Sequence, residues 1–281
     1  MKINGWRYYE HAALPATPPH VNPDITPINS GDIWKIDRTP LLARWTTDFD
    51  CGYETNWWYV IKDTPFDINA LKAKRRYEIV KGNKNFFVKE IKPADYCEEL
   101  FRISMAAYET YPKSYRPSIT HEDFILSVQR WTFYKTYAAF SVVDGSMCGF
   151  SCLNKRDQTG KYMNFTLMKS LPEQEKFGLN AAMVYKILTD HEEFLSSGGY
   201  INDGARNIQH TTAFQDYLEK YFGFRKAYCT LHIVYRPVVK IVIVMAYPFR
   251  KLLKRFRGVR VIEKFVSLLQ MEEINRATIR D

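Results

Sequence analysis

Residues 201–227 read INDGARNIQHTTAFQDYLEKYFGFRKA, and this stretch decides the fold. The short β-rich segment GGYIND (198–203) runs into a polar loop that carries Asn202, Asp203, Arg206, Asn207 and His210. Thr211 or Thr212 is placed to cap a helix reaching about Tyr221, because a threonine hydroxyl accepts from the amides that the first turn leaves unpaired. Gly223 stops that helix. The following FRKAYCTLHIVYRP (224–237) alternates bulky and polar residues over enough length for a long final strand. A strand end that delivers polar side chains into a loop ahead of a helix is where rigid scaffolds present chemistry.

Upstream, Asn180 to Leu195 has helical periodicity through Ala181, Val184, Ile187, Leu188 and Phe194, and the Gly198-Gly199 pair ends it. Three β segments precede it: YAAFSVVD (137–144), MCGFSCLNK (147–155) and KYMNFTLMK (161–169), joined at Asp144-Gly145 and Gly160 into a meander. Pro93 opens a helix to about Tyr111 with Leu100, Ile103, Met105 and Ala107 as its apolar positions, and Thr120 to Glu122 caps another up to Trp131. FFVKEI (86–91), WWYVIKD (57–63) and LLARWTTDF (41–49) read as strands, and a short helix is expected over Ile68 to Val80. From Pro93 onward the order is helix, helix, three antiparallel strands, helix, strand, helix, strand.

That order resembles the GNAT fold. YLEKYFGFRKA (217–227) is similar to the superfamily's fourth-helix ending, where a tyrosine-bearing helix closes on a Gly-Phe pair before a final strand. LKAKRRYEIVKGNKNFFVKEI (71–91) is similar to the basic entry into the second GNAT domain of the Fem-type, peptidoglycan-bridge transferases, and the chain as a whole resembles GNAT-like proteins of bacterial surface-polysaccharide clusters. The resemblance spans about residues 77–236. It implies an α+β fold with a mixed, mainly antiparallel sheet flanked by helices, and an acyltransferase acting from acetyl-CoA or another acyl-CoA, or from aminoacyl-tRNA. The acceptor it implies is an amine or hydroxyl of a cell-envelope sugar precursor, such as a lipid-linked sugar. One departure concerns the donor. Acetyl-CoA-dependent members bind the pyrophosphate at a Gly-rich helix start, whereas SLPEQEKFGLNAAM (170–183) echoes that turn only in Gly178 and Ala181 or Ala182, and carries Glu173 and Glu175 beside it.

The candidate residues follow from chemistry in that frame. A carboxylate beside a histidine makes a general base, so Asp203 and His210 are candidates, while Tyr217 and Tyr221 are candidate acids because a phenol is a donor at neutral pH. Arg206, Asn207, Asn202 and Gly178 are expected on the cofactor. Arg75, Arg76 and Lys81, within a cluster that includes Lys74 and Lys84, are expected to grip a diphosphate. Trp57 and Trp58 are candidates for stacking on a sugar or base, although adjacent strand residues face opposite ways and at most one enters a site. Each also has a structural reading: turn, core aromatic or solvated helix face.

With 46% hydrophobic residues the 281-residue chain can fill a core, and its net charge of +9 favours anionic partners. Five cysteines, of which only Cys148 and Cys152 are close, give no metal set and read as reduced thiols. The first twenty residues lack the apolar run of a signal peptide, and the longest apolar stretch, 241–247, is far short of the roughly 20 residues that span a bilayer. A cytoplasmic protein is expected, peripheral on the inner face of the membrane. Residues 1–40 read as an irregular Pro-rich arm, 41–237 as the GNAT-like domain, and 238–281 as a basic amphipathic helical tail. Within that tail, 238–270 is the segment expected on an anionic membrane surface. Two other functions fit the charge and aromatics: a tRNA- or nucleic-acid-binding module, and a non-catalytic membrane-docked GNAT-like scaffold.

Overall fold

The computed structural model describes residues 3–113, 116–154, 160–208, 213–253 and 260–278. In chain order its strands are β1 (Trp6–Tyr9), β2 (Ala12–Pro15), β3 (Leu42–Thr47), β4 (Trp57–Lys62), β5 (Phe86–Ile91), β6 (Tyr134–Ser141), β7 (Met147–Asn154), β8 (Tyr162–Ser170), β9 (Tyr200–Ala205) and β10 (Arg225–Tyr235). The helices are α1 (Thr26–Asn29), α2 (Ala73–Asn85), α3 (Cys97–Glu109), α4 (His121–Gln129), α5 (Pro172–Glu175), α6 (Leu179–Asp190), α7 (Glu192–Ser196), α8 (Ala213–Phe222), α9 (Pro237–Ala246), α10 (Arg250–Leu253) and α11 (Arg260–Thr278). The chain is α+β, with mainly antiparallel sheet flanked by helices and a helix at its C-terminus. Its contacts divide it into two compact units: residues 1–60, 205–213 and 226–281 form one, and 61–204 with 214–225 form the other.

The second unit is built on the sheet β9-β8-β7-β6-β5. Strands β5 to β8 pair antiparallel, with β6, β7 and β8 forming the meander that the turn signals predicted, and β9 joins β8 in parallel. Most of β6 and nearly all of β7 are buried, because helices cover both faces. On one side α3 and α4 bring Leu100, Ile103, Phe124 and Val128 on to Ala138, Phe150 and Cys152. On the other, α6 lays Leu179, Ala182 and Met183 against Ala139 and Cys148. Thr120 caps α4 as expected, its side chain accepting from the Asp123 amide. The helix expected to run unbroken to Leu195 divides at His191. There the imidazole turns inward, with Nδ1 2.7 Å from the Ile187 carbonyl, and the backbone leaves the helical region.

The first unit carries β1-β2-β3-β10 with β4 beside β10. One face holds Trp6, Ala13, Ile33, Ile36 and Ala43. The other packs Leu42, Trp57, Leu231 and Ile233 beneath Ile243 of α9 and Leu269 and Ile274 of α11. The N-terminal segment is therefore not irregular throughout. β1 and β2 form a hairpin with Tyr9 opposite Ala12, turned by Glu10 and His11 at positive φ, which is the geometry a two-residue hairpin requires. Proline is tolerated because Pro15 sits at the end of β2, beyond the two residues that pair with β3. The contacts also ignore the expected boundaries at 41 and 238. The first and last segments of the chain fold together because β3 and β10 are hydrogen-bonded neighbours, from Leu42 opposite Tyr235 to Thr47 opposite Thr230.

Candidate functional site

The parallel pair β8 and β9 is short: Tyr162, Met163 and Asn164 stand opposite Tyr200, Ile201 and Asn202, and there the pairing stops. β8 continues to Ser170 and β9 to Ala205 without each other. Backbone amides and carbonyls on the facing edges of two parting strands lose their ladder partners, and a ligand can supply new ones. Asn202 marks the point of parting. It is buried, its Nδ2 donates to Asn164 Oδ1 at 2.7 Å and Tyr162 Oη at 3.4 Å, and its Oδ1 has no partner among the described residues. A buried amide oxygen without a donor costs about 1–3 kcal/mol, so a ligand N–H or O–H would be welcome there.

Asp203 is the first residue past the parting. Burial pushes its carboxyl up to about 7, against the opposing help of the Gln215 amide from α8. Gln215 Nε2 also donates to the Asp203 carbonyl at 3.3 Å, which ties β9 to α8. A carboxylate with its pKa near neutrality is matched to take a proton from an amine or hydroxyl. On α8, Tyr217 packs among Phe214, Tyr221 and Phe222, with ring centroids 4.9–6.2 Å apart. Burial first, then the charge of Glu78, raises its phenol well above its ordinary value, so Tyr217 is a proton donor and never a phenolate in the neutral range. Tyr221 lies beside it, under the Arg75 guanidinium at 6.0 Å.

The basic helix α2 is real, though it starts at Ala73 rather than Ile68. Arg75 faces Tyr221, Arg76 reaches the Leu71 carbonyl, and the Lys81 side chain is half-buried. None of the three pairs with a carboxylate among the described residues. Gly178 has a different role from the one expected. It is buried at φ +85°, its amide donates to the Glu175 carbonyl, and a Cβ there would lie 2.8 Å from Glu78 O and Gly82 N. The start of α6 is thus pressed against α2, and this glycine's N–H is not available to a pyrophosphate.

Trp57 and Trp58 part company as the strand alternation requires. Trp57 is 2% exposed and belongs to the core under α9 and α11, so it cannot stack on a ligand from solvent. Trp58 is half-exposed, and two cations lie over its indole, Arg206 and Lys226, each 4.6 Å from the ring centroid. Arg206 is fixed twice, by its amide on the Trp58 carbonyl at 2.8 Å and its Nη1 on the Asn56 carbonyl at 2.7 Å. Neither cation has a carboxylate partner among the described residues. Asn207 is exposed, and His210 lies outside the described residues.

Lys226, Gln215, Asn164 and Tyr162 were not singled out in the sequence. Lys226 could have been: β10 alternates inward Ala227, Cys229 and Leu231 with outward Lys226, Tyr228 and Thr230, so it shares a face with other polar and aromatic residues. Lys169 was also unmarked. It is nearly buried near the end of β8, donating to Tyr111 Oη at 2.6 Å between the rings of Tyr108 and Tyr111, 4.7 Å from each. Nothing in its local sequence signals a partner 58 residues away.

The parallel strands parting ahead of a tyrosine-bearing helix, at the end of an antiparallel meander covered on both faces, decide the fold. The chain has a Fem-type GNAT fold. FemX superposes with a TM-score of 0.53 over 76% of this chain and 77% of its own, at 9% identity. The C-terminal domain of a putative lysylphosphatidylglycerol synthetase from Agrobacterium fabrum superposes at 0.51 over 85% and 82%, with 13% identity. L-PGS from Bacillus licheniformis does so at 0.50 over 85% and 83%, with 14% identity. These are likenesses of fold. No protein-family model matches the sequence, nor does any curated protein. Among the described residues no group of His, Cys, Asp and Glu is arranged to hold a metal ion, and no helix is long and apolar enough to cross a membrane.

Proposed function

We propose that this protein is a transferase that moves an acyl or aminoacyl group from an activated ester to an amine or hydroxyl acceptor. The observation that carries the reading is the parting of β8 and β9 at Asn164 and Asn202, with the near-neutral carboxyl of Asp203 immediately beyond it. In this scheme Asp203 takes the proton from the acceptor nitrogen or oxygen as it attacks the donor carbonyl carbon. The tetrahedral centre collapses, the bond to the leaving group breaks, and the phenol of Tyr217 gives the departing oxygen a proton. The unpaired Oδ1 of Asn202 orients a donor or acceptor N–H.

Two features favour an aminoacyl-tRNA donor over acyl-CoA. The amide of Gly178 is already spent and the start of α6 is closed by α2, which weighs against the usual CoA pyrophosphate site. The Trp58 patch, with two cations over an aromatic ring and no carboxylate partner for either among the described residues, suits a phosphate-bearing nucleotide. Neighbours of the same fold include a putative lysylphosphatidylglycerol synthetase and FemX, which supports aminoacyl transfer as the chemistry. For the acceptor, our reading is an amine or hydroxyl of a cell-envelope sugar precursor, such as a lipid-linked sugar.

The test is a mass-shift screen that crosses donors (acetyl-CoA, longer acyl-CoAs, charged tRNA) with amine- and hydroxyl-bearing envelope precursors. Transfer from charged tRNA supports the full reading, and transfer from a CoA thioester alone replaces the donor while keeping the reaction. Salt-sensitive tRNA binding with no transfer from any donor would sink the transferase and leave a nucleic-acid-binding module.

A further inference from the structure

Apart from Lys240, helix α9 is apolar all round, yet among the described residues it is packed on one side. Val239, Ile243 and Ala246 meet the core of the first unit, where Ile243 is 1% exposed. Other positions of α9 point outward, Val238 70% exposed, Ile241 60% and Met245 63%, with Val242 and Val244 between them, and beyond its end so do Phe249 at 60% and Leu252 of α10 at 52%. From Val238 through Ile241, Val242 and Met245 these follow the i, i+3, i+4, i+7 spacing, so they share one stripe that Phe249 and Leu252 extend. A soluble surface scatters its large apolar side chains, whereas a contiguous set is a surface waiting for a partner.

The charge around the stripe selects the partner. Between Glu219 and Glu263 the sequence contains no acidic residue, while Arg236, Lys240, Arg250 and Lys251 lie along or beside the stripe. Lys240 and Lys251 are exposed, and Arg250 is half-buried against Tyr247 and Glu273. A second copy of the chain would bring the same cations against themselves, since a two-fold interface pairs a patch with its own image. An anionic bilayer meets both demands, taking the apolar stripe below its headgroups and the cations at them. Within the part of α11 expected in the same role, Val266 and Leu269 are each 1% exposed and serve the core, so they offer no apolar surface to a bilayer.

We infer that the outward face of α9 and α10, from Val238 to Leu252, is a docking surface for an anionic membrane. This surface is independent of the chemistry proposed above, and its test uses no activity. The full chain is floated with vesicles of phosphatidylcholine alone and of phosphatidylcholine mixed with phosphatidylglycerol, beside the variants Ile241→Ser/Met245→Ser and Lys240→Glu/Lys251→Glu. Binding only to the anionic vesicles is expected, with each double variant lowering it at least tenfold, on the order of what losing two buried apolar anchors or two surface cations removes. Thermal melts of both variants should match the parent, since all four positions are exposed. Equal binding by the parent and both variants, or no binding by the parent, overturns the inference. So does a concentration-dependent dimer in sedimentation that the Ile241→Ser/Met245→Ser change abolishes, because the stripe would then belong to a second copy.

Discussion

Asp203 holds its proton more tightly in the folded protein than in the unfolded chain, rising from 3.8 to about 7. Between those values the folded state binds more protons, so the carboxyl erodes stability as pH rises from about 4 to 7 and the loss is complete above 7. At about 1.4 kcal/mol per unit the full shift bounds this cost at roughly 4 kcal/mol, and partial solvent access brings the expected figure nearer 1–2 kcal/mol. Asp203→Asn should therefore raise the Tm at pH 8, leave it nearly unchanged at pH 4, and abolish most turnover. Wild-type turnover should climb with pH through about 7. A variant that melts lower at pH 8 would mean the carboxylate is a structural partner instead. For the two tyrosines, Tyr217→Phe should lower turnover by roughly a hundredfold or more, the usual scale of a lost general acid, and Tyr221→Phe by much less. Equal rates in both variants would remove the phenol from the mechanism. The placement of Asp203 and Arg206 at a strand end, and of Tyr217 on the helix that follows, was legible because a polar loop between a strand and a helix is a local pattern. The desolvation that tunes Asp203 and the pairing of Asn202 with Asn164 were not, because both depend on which distant strand lies alongside.

At the scale of elements, local signals gave the helices and strands of the second unit to within a few residues, while the errors came from contacts. Gly178 looked like part of a phosphate loop and is instead half of a glycine-to-glycine contact that lets α2 and α6 touch. An Ala for Gly exchange inside a helix ordinarily gains about 0.5–1 kcal/mol. At Gly82 a Cβ would lie 2.3 Å from the Gly178 carbonyl oxygen, so Gly82→Ala should lose roughly 2 kcal/mol or more, read as a lower urea midpoint. A gain in stability would show that the helices can slide apart and that the start of α6 can open to a phosphate. On β4 the alternation of faces makes a second contrast. Trp57→Ala should cost about 3–5 kcal/mol because it empties the core. Trp58→Ala should cost under about 1 kcal/mol and weaken tRNA binding in filter or fluorescence titrations, with a shallower salt dependence when Arg206 and Lys226 are replaced as well. Unchanged tRNA affinity in that triple variant would take the patch out of donor binding. The N-terminal hairpin escaped the sequence because its turn is made by Glu10 and His11 at positive φ, with no glycine, asparagine or aspartate to signal it.

Over the whole molecule, the sequence set residues 238–281 apart as a basic amphipathic tail, whereas α9 and α11 pack on the core of the first unit. Ile243, Val266, Leu269 and Ile274 are buried, and Leu231, Ile233 and Tyr235 of the final strand lie in the same core. Each large buried side chain contributes about 2–5 kcal/mol by the cost of its truncation to Ala, while a domain's net stability is only about 5–15 kcal/mol. A chain ending at Pro237 should therefore misfold in its first unit and aggregate. A sharper version of the argument needs no truncation, because α9 holds the same residue type on its two faces two positions apart. Ile243 is 1% exposed and Ile241 is 60% exposed. Ile243→Ala should lower stability by about 2–4 kcal/mol in urea titration, and Ile241→Ala should stay within about 0.5 kcal/mol. If Ile241→Ala were the more damaging of the two, α9 would be rotated from the orientation described, and the stripe assigned to the membrane would be the one that packs on the core.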